Sequence, residues 1–140
     1  MTMNTDFLNA HERHYDDANK LYGDERWANA DHLYGVSVEC GLKRLMLAFG
    51  MPFDTVADRP QDRGDHKHAD GIWARYESYR SGNPLGAGYA LHAINPFSDW
   101  DVAQRYAHQA HFDVARVDPH RYAADYVNQL VIKAMIEGLL

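Results

Sequence analysis

Apolar residues recur at steps of three and four along most of this chain, the spacing that lines one face of an α-helix. Phe7, Ala10, His14, Ala18 and Leu21 predict a first helix over residues 6–21, with the Thr5 hydroxyl placed to accept from an orphan N–H of its first turn. Gly23 follows as a C-cap and Asp24 as the next N-cap. Trp27, Ala30, Leu33 or Tyr34, Val38, Leu42, Leu45 and Phe49 predict a longer second helix over residues 25–49, in the centre of the fold. Gly35 and Gly41 lie inside it. Each costs up to about 1 kcal/mol of helix propensity, so another backbone is expected to pack close there.

Gly50-Met51-Pro52 ends that helix, because proline cannot continue the ladder. Residues 52–65 read as a polar loop. A third helix fits residues 66–79, with Ala69, Ile72, Trp73, Tyr76 and Tyr79 on its buried side. Three glycines and a proline between Ser81 and Gly88 mark a long connection. Residues 89–94 predict a short helix, and residues 100–111 another, capped by Ser98 or Asp99. The last helix is expected over 120–137, with Pro119 in a first-turn position behind Asp118. No strand and no internal repeat stand out. The pattern describes an all-α, up-and-down bundle of four main helices with one or two short ones.

Composition narrows the class. The length of 140 residues fits one domain over 1–140, and 46% hydrophobic residues suffice for a core. Asp plus Glu number 20 against 14 Lys plus Arg, a net charge of −6. That argues against coating nucleic acid by bulk charge and leaves a local basic groove open. The lone Cys40 cannot form an internal disulfide, and its apolar neighbours make it a packing residue. No signal peptide is visible, and the longest strongly apolar run, Leu45–Phe49, is far short of the roughly 20 residues a bilayer needs. A cytoplasmic protein without membrane contact is expected.

Nine histidines raise the question of metal. His11 with His14, and His108 with His111, are three apart; His66 and His68 follow Asp62 and Asp65. There is no His-Glu-x-x-His, no paired Glu-x-x-His and no cysteine set, so neither a metal nor another cofactor is expected, and a metal-binding helical bundle stands as an alternative. Phosphate-loop and nucleophile-elbow motifs are missing as well.

Two constellations carry candidate chemistry. Glu39 and Lys43 are four apart on the second helix, either as a solvated pair or as a partly buried one that orients a basic group. Asp101, Arg105 and His108 share one face if residues 100–111 are helical, and together suit phosphate binding and proton transfer. His111 lies six residues past Arg105, about 120° around a regular helix. These two converge only if the helix breaks between them or a second subunit contributes.

The run Arg26-Trp-Ala-Asn-Ala-Asp-His-Leu-Tyr-Gly-Val-Ser-Val-Glu39-Cys-Gly-Leu-Lys43 resembles the Ala-x-His-Leu-x-Gly-x-Ala-x-Glu-x-x-Leu-Lys helix of HEPN-domain proteins. His68-Ala-Asp-Gly-Ile-Trp73, Arg105-Tyr106-Ala107 and Arg121-Tyr-Ala-Ala-Asp125 resemble three later elements of that family in the same order, over residues 24–138. The resemblance implies a four- to five-helix bundle paired as a homodimer. Many family members are metal-independent ribonucleases of toxin–antitoxin or defence systems with an Arg-x(4–6)-His motif. Carried over, Arg105 would bind the scissile phosphate and His111 would serve as general acid or base, with His108 beside them. Arg63-x4-His68 has the same spacing. Tyr106 stands where active members carry a polar residue, and Arg-Tyr-Ala is similar to a branch that pairs with nucleotidyltransferases or serves as a binding module. The implied function is therefore a non-catalytic homodimer that binds a nucleotide, RNA, or a partner such as a nucleotidyltransferase or antitoxin. Asp101, Arg105, Tyr106, Glu39 and Lys43 are its candidate binding residues, and the ribonuclease is the alternative.

Overall fold

The computed structural model describes residues 2–140 as four α-helices, a hairpin of two two-residue strands and four short 3₁₀ turns. Helix α1 spans Phe7–Gly23 and is capped by Asp6, whose carboxylate accepts from the Asn9 N–H at 3.0 Å. Thr5, the expected cap, is committed elsewhere: its N–H and hydroxyl both donate to the Asp58 carboxylate. Asp24 closes α1 instead of opening the next helix, because its N–H donates back to the Lys20 carbonyl. Glu25 then turns left-handed at φ 58°, which delays α2 until Trp27–Ala48.

β1 (Phe53–Asp54) and β2 (Arg59–Pro60) pair antiparallel inside the expected loop, too short to show a period of two in the sequence. The third helix, α3, is Ala69–Ser81 and starts three residues late. His66 is held back by a bond between its Nε2 and the Pro60 carbonyl, and Asp62 caps a 3₁₀ turn over Arg63–Asp65. The last helix, α4, is Val114–Ile136, capped by Asp113. It begins six residues earlier than expected, so Pro119 lies inside it and leaves the Ala115 carbonyl without its helical donor. Asp118 is no cap; it accepts from the Tyr22 hydroxyl at 2.7 Å.

Two expected helices do not form. Residues 89–94 run without helix because α3 takes their carbonyls: the Tyr76 hydroxyl donates to Tyr89 and the Trp73 indole to His92. Residues 100–111 become two 3₁₀ turns, Val102–Tyr106 and Gln109–His111. Asp101 and Gln104 close a capping box on the first turn, and His108 caps the second. Ala107 and His108 between them are extended, at φ −78° and −67°.

Helix α2 is central, packing on α1, α4 and α3. Tyr34, Val38, Leu42, Leu45 and Met46 from α2 meet Ile72 and Tyr76 from α3 and Val117, Val127 and Val131 from α4. The two α2 glycines answer to side chains, not to a backbone. A β-carbon on Gly35 would sit 2.1 Å from the Trp100 indole, and one on Gly41 would sit 2.7 Å from the His11 ring. Mostly helical architecture is thus as expected, with the hairpin added. Among the described residues, no helix is long and apolar enough to cross a membrane.

Candidate functional site

The space over Gly35 is filled by Trp100, and this insertion organises the site. The Trp100 indole N–H donates to the Asp31 carbonyl at 3.1 Å, drawing residues 99–106 onto the first half of α2. Asp31 is wholly buried and uses both carboxylate oxygens. Oδ2 accepts from the Gln104 amide at 2.6 Å; Oδ1 lies 2.5 Å from Nδ1 of His120 on α4. The second ring nitrogen of His120 lies 2.8 Å from Asp99 Oδ1, and Phe97 stacks on the ring. A carboxylate on each nitrogen favours the doubly protonated imidazole. Burial opposes that charge, but the bonds and charges of Asp31 and then Asp99 outweigh it, so the pKa is raised. Arg116 adds a bond to the Asp99 carbonyl at 2.7 Å.

This buried network bolts down a turn whose tip faces solvent. Arg105 bonds only the Val102 carbonyl at 3.3 Å, and among the described residues it has no carboxylate partner. Its guanidinium lies 4.7 Å from the centre of the Tyr106 ring, which is 79% exposed. His32 is the next residue after Asp31, as Arg105 is after Gln104. The His32 ring stacks on Trp100, and its Nδ1 is buried without a partner. Burial, then the Arg105 charge, hold its pKa below the usual value, so the imidazole is neutral near pH 7.

No protein-family model, curated protein or solved structure matches the chain.

The expected site residues divide into separate groups. Asp101, Arg105 and His108 do not share a helix face, because the helix that would align them is two turns. Asp101 is a cap, accepting from the Ala103 N–H at 2.7 Å, and His108 Nδ1 accepts from the Ala110 N–H at 3.0 Å. His111 is exposed at the end of the second turn. Glu39 and Lys43 form a second cluster, seven residues beyond His32 and about 10 Å along α2. The pair is bonded at 2.8 Å with side chains only 17% and 7% exposed, so it is not a solvated pair. His68, at the start of α3, takes the other Glu39 oxygen at 2.8 Å. Cys40 next to them is buried, and burial, then the Glu39 charge, push its thiol up to about 12, as suits a packing residue.

Among the described residues, no three His, Cys, Asp or Glu side chains gather as a metal set. The spaced histidine pairs are split by their bonds: His11 is buried against the Ser37 carbonyl and Asn128, and His66 is tied to Pro60. Sequence reasoning missed Asp31, His32, Asp99, Gln104 and His120. Only Asp31 and His32 had a signal, lying within the run from Arg26 to Lys43. His120 meets partners 89 and 21 residues away, which no local pattern reveals.

Proposed function

We propose that the chain is a HEPN-like helical module that binds a nucleotide or RNA, as a homodimer and without catalysing a reaction. One observation carries this reading: Arg105, exposed and without an ion pair among the described residues, lies against an exposed tyrosine on a turn anchored in the core. A guanidinium offers five N–H donors in a fork that matches phosphate oxygens. A tyrosine face adds base stacking, roughly 1–3 kcal/mol per base. Anchoring through Gln104 and Trp100 lowers the ordering cost of binding. A dimer would present the site twice, which lets a chain of net charge −6 hold a polyanion by local contacts.

The second reading is a metal-independent ribonuclease with Arg105 and His111. It is favoured by the extended link at Ala107 and His108, which removes the 120° separation that a continuous helix would impose.

The test is fluorescence polarisation with short single-stranded RNA at low salt in the presence of a chelator, using wild type, Arg105→Ala and Tyr106→Ala. Losing one charged fork should weaken binding about 10-fold or more, since charge-assisted bonds contribute about 1.5–3 kcal/mol. Equal affinity of wild type and Arg105→Ala would sink the proposal. Chelator-resistant cleavage that vanishes in an Arg105→Ala, His111→Ala double variant would replace it with the ribonuclease. A monomer by light scattering would remove the paired site.

A further inference from the structure

Next to the Arg105–Tyr106 tip lies a cavity of about 290 Å³ between the start of α2 and the 107–112 segment. Two aromatic side chains line it, Trp27 from α2 and Phe112 from the segment that follows the second turn. Around them stand the amides of Asn29 and Gln109, with Arg26 and Glu25 at the α1–α2 turn. We propose that this slot takes one unpaired nucleobase of a single-stranded RNA whose phosphate is held by Arg105.

Size decides the first step. The volume falls just below the roughly 300–1,000 Å³ of small-molecule pockets, a size that suits a fragment such as one base. The slot and the tip are continuous in the chain, because Ala107 of its lining follows directly on Tyr106 and Gln109 lies two residues beyond it. A base in the slot therefore leaves its backbone near Arg105. Chemistry decides the second step. Asn and Gln amides each carry a donor and an acceptor, the combination that reads base edges. The half-buried Trp27 supplies a stacking face, while Phe112, buried with Arg116 over its ring, closes the slot from below; single-stranded RNA is recognised by bases splayed onto aromatic faces. Arg26 has no ion pair among the described residues and adds a second cation near the backbone.

The slot is also preformed. Glu25 holds the left-handed conformation at φ 58°, disfavoured for a residue with a β-carbon, and the turn is locked by two bonds. The Glu25 N–H donates to the Tyr22 carbonyl at 3.1 Å and the Arg26 N–H to Leu21 at 2.8 Å.

The inference rests on Arg105 as the phosphate contact, and the experiment separates the two. Three probes are titrated against the full chain: single-stranded RNA, the same strand with abasic sites, and the corresponding duplex. Variants are Asn29→Leu, Gln109→Leu and Arg105→Ala, all at exposed positions, with folding checked by circular dichroism. Expected is about 10-fold weaker binding of the base-bearing strand by each Leu variant, with the abasic strand unaffected. Arg105→Ala should weaken both strands. The slot is overturned if both Leu variants bind the base-bearing strand as wild type does, or if the duplex binds as tightly as the single strand. If the Leu variants fail while Arg105→Ala binds normally, the slot stands and the Arg105 site falls. If wild type binds none of the three, both fall.

Discussion

His120→Asn probes the buried His120–Asp31 pair on which the site's geometry depends. An Asn amide can still donate to Asp31, but the positive charge and the ring stacked on Phe97 are lost. Breaking a buried ion pair by removing one partner costs about 3–5 kcal/mol. The Asp99 end is 58% exposed and adds only about 0–1 kcal/mol. Gln104 still satisfies Asp31 Oδ2, which places the expected loss near the low end, about 3 kcal/mol. For a domain of this size, about 2–4 °C of melting temperature per kcal/mol gives a drop of about 6–12 °C.

The sign of the pH dependence follows from the raised pKa. A group whose folded-state pKa lies above its unfolded value of 6.5 contributes in full below pH 6.5, and the contribution drains as pH rises through the folded-state pKa. The gap in melting temperature between wild type and His120→Asn should therefore be widest below pH 6.5 and narrow in alkali. Thermal melts by circular dichroism across that range measure it. Adding Asp31→Asn to the variant removes the stranded carboxylate, so the double variant should lose less than the two singles combined. A constant gap at every pH, together with additive losses, would refute a charged His120. Amide exchange at residues 101–106 should quicken in His120→Asn, because the turn loses its anchor.

Three further outcomes follow from the packing. Gly35→Ala puts a methyl 2.1 Å from the Trp100 indole, and the overpacking should cost about 1–3 kcal/mol by urea melt. On the proposed function it should also weaken RNA binding, since Trp100 carries the turn. Cys40, buried with its thiol pushed up to about 12, should resist iodoacetamide at neutral pH in the native chain and react once denatured. Lys43→Met leaves the partly buried Glu39 with only His68 and should cost about 1–3 kcal/mol by urea melt.

The four α-helices were legible because their signal is local. A stripe such as Val38, Leu42 and Leu45 repeats within a turn or two, and its burial needs only some apolar neighbour. The boundaries were less so, since caps compete: Thr5 and Asp6 both qualify, and the choice fell to Asp58, far along the chain. Arg105 and Tyr106 were visible as residue types, but their setting was not.

That setting was hidden by the same contacts that misled the helix assignment at 100–111. Local pattern there allows a helix with Asp101, Arg105 and His108 aligned. Gln104 and Trp100 are instead spent on Asp31, and Asp31 on His120, a set spread over three parts of the chain. A continuous α-helix from residue 100 must bury one stripe and expose the rest. Extended backbone at Ala107 and His108 ends that option after one turn and leaves Arg105 exposed. The departure from the local pattern and the assembly of the candidate site are therefore one event. Its cost is the burial of Asp31, whose carboxylate is met by His120 and the Gln104 amide.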